Sequence, residues 1–279
     1  QTVMASCVIQ NSQFDQLAGQ FQGGIGGKML HLSETASTMD VARSLIEASN
    51  DIHLIHGKTI IAEKQHRGRG RFGREWFSGP GLDILISVVL CPRMAFAGQI
   101  TIMASLAVAQ TVDEIADVSS SLKWPNDVLV GGYKICGVIA EGVAVGDVAA
   151  VVLGIGLNVN SLPNSDEAKN YAATSMRELM PSSSELDRAE VLEKLLIRLN
   201  ELYSALERGE TIVPEWRERL NTLGSEIELK MIGQDELKAS KVICGIAEDV
   251  DDFGRLLIRE SDRTVRAVAS GEVTLRNST

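Results

Sequence analysis

The rhythm of apolar and polar positions changes along the chain, and each change predicts an element. Between 37 and 49, "STMDVARSLIEAS" places Met39, Ala42, Leu45 and Ile46 on one helical face, with Ser37 or Thr38 as the N-cap. "TIIAE" (59–63) and "ILISVVL" (84–90) are β-branched runs of the kind found in buried strands. The stretch from 97 to 118 is apolar on most sides and free of proline, which predicts a buried helix. "DVLV", Gly131-Gly132 and "YKICGVIAEGVAV" read as two strands joined by a tight hairpin, and "DVAAVVLGIGLNVN" (147–160) as a further strand. A polar, proline- and serine-rich loop over 161–184 leads to helices near 187–208 and 210–222, where Arg198, Glu201 and Arg208 are ordinary surface charge. From Gly224 onward only short strands follow: "EIELKMI", "ELKASKVICGIAEDV", "RLLIRE", "TVRAVAS" and "EVTLR".

That shift divides the chain. Residues 1–27 carry little periodicity and read as a loose N-terminal extension; 28–223 form a mixed α/β domain, and 224–279 a small β-barrel. With 279 residues and 44% hydrophobic content, the chain can bury a sizeable core. A net charge of −10 argues against a whole-protein role on nucleic acid or anionic membrane, so any anion binding must be local. Cys7, Cys91, Cys136 and Cys244 are too scattered for a zinc site or a disulfide framework, and read as reduced core thiols of a cytoplasmic protein. No apolar run is expected to reach the roughly 18 residues of a membrane span, and the first residues do not have the make-up of a secretion signal.

Against the acidic background, "KQHRGRGRFGREW" (64–76) collects Arg67, Arg69, Arg71 and Arg74 among three glycines. Gly68, Gly70 and Gly73 match the spacing of a dinucleotide fingerprint, but a strand follows where that motif must open a helix. "GGIGGK" upstream imitates a phosphate loop, yet Gln22 and Met29 stand where a glycine and a hydroxyl are needed. Three readings remain for the arginines: a solvated loop, an RNA-binding element, or a lid over a small anionic ligand. Guanidinium forks match carboxylate and phosphate oxygens, and glycines let backbone approach a ligand.

In "KWPNDVLVGGYKICGVIAE" (123–141), a two-residue turn at Gly131-Gly132 pairs Val130 with Tyr133, Leu129 with Lys134 and Asp127 with Cys136. Asp127 and Lys134 then project from one face, as a cross-strand salt bridge or as a pair suited to a magnesium nucleotide and a carboxylate. "WPND" makes a poor regular strand and reads as a shaped entrance.

In this order, "GRGRFGREW", "KWPNDVLVGGYKICGVIAE", "LGIGLNVN" and the terminal "SGEVTLR" resemble biotin protein ligases, over a span from about Leu32 to the C-terminus. The resemblance implies an α+β catalytic domain related to class II aminoacyl-tRNA synthetases and lipoate ligases, with a mixed sheet and flanking helices, followed by an SH3-like barrel. It implies ATP-dependent formation of biotinyl-5′-AMP, then transfer of biotin to a lysine of a biotin carboxyl carrier domain of a biotin-dependent carboxylase. Biotin, ATP and Mg2+ are the implied small molecules.

By the same resemblance, Arg69, Gly70 and Arg71 contact biotin and the adenylate phosphate. Gly68 and Arg74 face the nucleotide, and Gln65 contacts biotin. Lys134 holds the biotin carboxylate and α-phosphate, and Lys134, Arg69 and Arg71 carry the catalysis. Ser37 and Thr38 hydrogen-bond the ureido ring, with a plain helix cap as the other reading. Met39 replaces the asparagine often found after that pair, leaving a backbone contact there. Gly154 and Gly156 let the strand approach the ligand, with Asn158 near ribose or adenine, or else they form an ordinary strand end. Trp76 and Trp124 wall the site or belong to the core. Asn126 and Asp127 contact nucleotide or metal, with Asp127 as the metal ligand.

The 66–76 segment is expected to be mobile without ligand. Only about 30 residues precede the first catalytic helix, so a ligase without operator binding is expected, with no specific DNA partner and no membrane association. Edge strands offer a route to a homodimer. A lipoate or octanoate ligase of the same superfamily, an RNA-binding module and a structural protein are the alternatives.

Overall fold

The structure is a computed structural model and describes residues 8–10, 12–145, 148–162, 172–180, 184–231 and 241–276. In chain order these form α1 (Gln13–Ala18), β1 (Lys28–Leu32), α2 (Thr38–Glu47), β2 (Lys58–Ala62), β3 (Gly68–Arg69), β4 (Glu75–Trp76), β5 (Ile84–Leu90), α3 (Ile100–Ala116), β6 (Ser121–Lys123), β7 (Asp127–Val130), β8 (Tyr133–Val145) and β9 (Val148–Leu157). Then follow α4 (Met176–Leu179), α5 (Arg188–Glu207), α6 (Val213–Glu218), β10 (Glu226–Met231), β11 (Lys241–Val250), β12 (Leu256–Arg259), β13 (Val265–Val268) and β14 (Glu272–Leu275).

A seven-stranded sheet runs in the order β1-β2-β5-β9-β8-β7-β6, with β1 and β2 parallel and the other pairs antiparallel. β5 lies inside it with every residue buried, which explains why its run is apolar but for Ser87. Ile84, Ile86, Val88 and Leu90 join the core with α3 and α5, while Val89 joins Met39, Ala42 and Ile46 of α2 on the other face. α2 therefore covers one face and α3 with α5 the other. The five-stranded antiparallel sheet β13-β12-β11-β10-β14 makes the expected all-β unit, and its Ile227, Leu229, Ile243 and Leu256 extend the larger core.

The structure corrects several expectations. The stretch 12–27 is not loose: Ser12 and Asp15 form a capping box, and Phe14, Leu17 and Ile25 are buried. Residues 1–7, with Cys7, lie outside the described residues. β1 and β6 were not expected, because "KMLHL" and "SLK" lie at sheet edges and lack a long β-branched run. α4 interrupts the polar loop and buries Met176; residues 163–171 and 181–183 of that loop, and 236–240 of a predicted strand, lie outside the described residues.

The helical stretch Met94–Ala116 is, by length and composition, apolar enough to cross a membrane, contrary to the expectation from the sequence. Its apolar surface is spent on the sheet and α5: Ile100, Met103, Leu106, Ala107 and Val108 are fully buried. Of the described cysteines all are free, but only Cys136 is a core thiol; Cys91 is half-buried and Cys244 exposed. Both outer edges of the large sheet are partly covered by the chain itself. Ile9 N–H donates to His31 O beside β1 (2.9 Å), while Leu122 of β6 exchanges backbone bonds with Arg219 and Asn221 (2.8 and 2.9 Å).

Candidate active site

Where the N-terminus of α2, the β3–β4 ribbon, β7 to β9 and the start of β14 meet, they enclose a cavity of about 300 Å³. One end is lined by polar groups of α2. Of the two caps that the sequence offers, Ser37 is the N-cap, its Oγ accepting from Met39 N–H at 3.3 Å, and Thr38 is the first helical residue. Thr38 donates its backbone N–H to Gln65 Oε1 (2.8 Å), and its hydroxyl meets Ser87 Oγ (2.8 Å). Backbone bonds from Thr35 N–H to Lys64 O and from Arg67 N–H to Ala36 O clamp the Gln65 segment to the same helix entrance. Met39 is buried beneath, and a Cβ on Gly154 would lie 2.9 Å from its sulfur.

The arginine-rich stretch is a ribbon rather than an open loop. Gly68 pairs with Trp76 and Arg69 with Glu75, and Gly70 N–H donates to Arg74 O at 2.7 Å across the tip. Gly68 lies outside the cavity wall. Its lack of a side chain answers the ribbon itself, since a Cβ would come 2.4 Å from Trp76 O. Arg69 pairs with Asp40 and reaches Glu141 at 3.4 Å. Arg71 donates to Asn126 Oδ1 (2.9 Å) and Gly271 O (3.2 Å), and Arg74 pairs with Glu272. Burial pushes the Arg71 guanidinium below its usual pKa, while Asp127 and Glu272 act in the opposite sense; it remains charged at any physiological pH.

The hairpin supplies the opposite wall. Gly131 and Gly132 both have positive φ (60° and 86°), the geometry of the tight turn read from the sequence. Val130 pairs with Tyr133 and Leu129 with Lys134 as expected. A bulge then shifts the register, so Asp127 pairs with Gly137 and not with Cys136. The extra residue re-aims the strand, and Lys134 Nζ still meets Asp127 Oδ1 at 2.7 Å. Asn126 is fixed by donating to Val138 O (2.7 Å) while accepting from Arg71.

Lys134 Nζ stands 5.5 Å from the Trp76 ring centroid. That ring lies where β8 and β9 carry no side chain: a Cβ on Gly156 would be 2.5 Å from Trp76 Cε2, and one on Gly137 2.9 Å from Cζ3.

Ser37, Thr38, Met39, Gln65, Arg69, Gly70, Arg71, Arg74, Trp76, Asn126, Asp127, Lys134, Gly154 and Gly156 thus share one cavity. Asn158 does not reach its wall. It is buried behind, donating to Thr174 O (3.0 Å), and its Oδ1 has no partner among the described residues. Trp124 both lines the cavity and belongs to the core, its indole N–H held by Gly254 O at 3.0 Å. Sequence reasoning missed Gly137 and Gly271–Thr274. Gly137 was readable as a second glycine opposite Gly156, whereas the contribution of β14 depends on long-range packing that no local pattern announces. Among the described residues no three His, Cys, Asp or Glu side chains gather as metal ligands.

Residues 35–158 match the Biotin/lipoate A/B protein ligase family, and residues 222–276 match the Biotin protein ligase C terminal domain. The chain is 34% identical to the biotin–[acetyl-CoA-carboxylase] ligase of Mycobacterium tuberculosis over 96% of each chain. It is 30% identical to the bifunctional ligase/repressor BirA of Bacillus subtilis, covering 90% of this chain and 75% of that one. Among solved structures, the biotin protein ligase from Aquifex aeolicus in complex with biotin and ATP superposes with a TM-score of 0.71 at 28% identity, over 90% of this chain and 99% of that one. With a cavity built from the motifs that run through both matched segments, the chain belongs to the biotin protein ligase family.

Proposed function

We propose that this cavity activates biotin with Mg-ATP and passes it to a lysine of a carboxylase's biotin carrier domain. The observation that carries the reading is that Arg71 of the ribbon and Lys134 of the hairpin line one cavity, each held beside Asn126 or Asp127, together with the hydroxyl and amide groups of Ser37, Thr38 and Gln65. A cavity of this size suits a small ligand. Its polar end, with Ser37, Thr38 and Gln65, offers donors and acceptors for the ureido ring, and Met39 and Ile139 offer apolar surface for the thioether ring and chain. The bare backbone at Gly154 and Gly156 seats Met39 and Trp76, and the Trp76 ring so placed offers a face for the adenine to stack on, with Asn158 behind the strand.

In the first step a biotin carboxylate oxygen forms a bond to the α-phosphorus of ATP as the bond to the β-phosphate oxygen breaks, and magnesium pyrophosphate leaves. In the second, the acceptor ε-amine attacks the acyl carbonyl, the carbon–oxygen bond to phosphate breaks, AMP departs and the amine loses its proton to solvent. Neither step needs an enzyme nucleophile. Lys134 and Arg71 bring the carboxylate to the phosphate against mutual repulsion and stabilise the charge that builds up there. Mg2+ keeps most of its water and nucleotide ligands in such sites and needs only one or two protein carboxylates, a part that Asp127 fits. The ribbon, sealed by Gly271 and Glu272 of the C-terminal sheet, acts as the lid that keeps water from the adenylate. On this reading 28–223 is the catalytic unit and 224–279 its closing unit.

The RNA reading is weakened by what the arginines touch. Arg69 and Arg74 are paired with Asp40, Glu141 and Glu272, which cancels the field a polyanion would need. A lipoate or octanoate ligase does not account for the C-terminal match. The test is a two-stage incubation: enzyme, biotin and Mg-ATP alone should yield bound biotinyl-AMP. Later addition of a biotin carrier domain should convert it to a biotinylated lysine without further ATP. Biotinylation without any isolable adenylate would contradict the mechanism.

A further inference from the structure

At the tip of the ribbon, Phe72 adopts φ 58° and ψ 37°, a left-handed conformation that glycine takes freely and bulky residues seldom do. Gly73 follows with φ 74°, so two successive residues of the turn stand in the region that favours glycine, although a Cβ at Gly73 would meet nothing within 4 Å. The aromatic ring is not held there by the core, being 41% exposed. What it touches is Arg71, whose guanidinium carbon lies 4.6 Å from the ring centroid. Asn126 and Gly271 accept from its Nη1 and Nη2, and its central carbon lies over the ring. Phe72 lines both the cavity and a second depression bounded by Asp40, Arg67 and Glu141, so it stands between the two.

We infer that Phe72 is a positioning residue: its ring holds the Arg71 guanidinium toward the acyl phosphate and so retains the adenylate until the acceptor arrives. The inference rests on the ligase reading for the identity of the retained species. The physical reason is that a guanidinium taken out of water is stabilised by the negative face of an aromatic ring without using any N–H group, so those beyond the two given to Asn126 and Gly271 can donate to phosphate oxygens. Burial of Arg71 makes that stabilisation worth more than it is on an open surface.

The test compares Phe72→Gly, Phe72→Leu and Phe72→Tyr for the rate at which preformed biotinyl-AMP escapes from the enzyme in the absence of acceptor. Phe72→Gly relaxes the backbone, so its unfolding midpoint should not fall, yet adenylate escape should rise about 2- to 10-fold. Phe72→Leu keeps the bulk without the π face and should leak like the glycine variant, whereas Phe72→Tyr should restore retention. Equal retention in Phe72→Gly and the wild type, or rescue by leucine as complete as by tyrosine, overturns the inference. A wild type that forms no biotinyl-AMP refutes the ligase reading instead. The contact is then judged by the rate of Arg71 modification by phenylglyoxal, read by peptide mass spectrometry. This should rise in Phe72→Gly and return in Phe72→Tyr, and no difference among the variants overturns the inference.

Discussion

Two charged clusters beside the same sheet differ in what completes them. Glu63 is met by His31 Nε2 at 2.5 Å and by Arg188 at 2.8 Å, Arg188 also donates to Asp83 O, and its guanidinium lies 5.4 Å from the Phe14 ring. Burial alone would raise the Glu63 pKa, but the hydrogen bond from His31 and the Arg188 charge outweigh it and hold the carboxyl below its usual value. Nearby, Asp83 accepts from the backbone N–H groups of Val159, Asn160 and Ser161 at 2.8, 3.2 and 3.2 Å. Around Lys134 and Arg71 the charges instead ring a cavity, with bare glycine backbone as part of its wall. A charge cluster closed on itself ties elements together; one arranged around a cavity is poised for a ligand that carries the opposite charge.

The contrast is broken most sharply at Lys134. Lys134→Ala should lower the adenylation rate by about 10²- to 10³-fold with the fold retained, checked by pyrophosphate exchange and circular dichroism. Glu63→Gln should do the reverse. It should cost about 2–3 kcal/mol of stability by urea unfolding and leave the rate per folded molecule unchanged. The sign with pH follows from the depressed carboxyl. Its contribution is present above the ordinary value of 4.5 and is lost as pH falls through the lower folded value, so acid sensitivity in that window should be weaker in Glu63→Gln.

Gly156→Ala puts a methyl into Trp76 and should raise the KM for ATP about tenfold with little loss of melting temperature. Smallest is Arg74→Gln. The Arg74–Glu272 pair is about half exposed and worth less than about 1 kcal/mol, so a few-fold rise in KM that shrinks with added salt is expected.

The same contrast explains what was legible in the sequence. Elements with their own periodicity were readable: the Ser37 cap, the run 84–90 and the double-glycine turn all stand where the pattern puts them. The cavity was readable wherever the residue type itself carries the chemistry, as at Arg71 and Lys134. What depends on meetings across the chain was not. The Asp127 register turns on a bulge, the order of residues 12–27 on packing of Phe14 beneath His31, and the closing of the ribbon on Gly271, 200 positions beyond Arg71. Asn158 carries polar chemistry but sits behind the wall, one residue past β9, where it is bonded to residues 174 and 176.

If the charges around the cavity form an acyl adenylate from biotin, incubating the protein with Mg-ATP, labelled pyrophosphate and, separately, biotin, lipoate or octanoate will show it as exchange. Label should enter ATP only when biotin is present; label entering ATP only with lipoate or octanoate, or with none of the acids, would contradict the account.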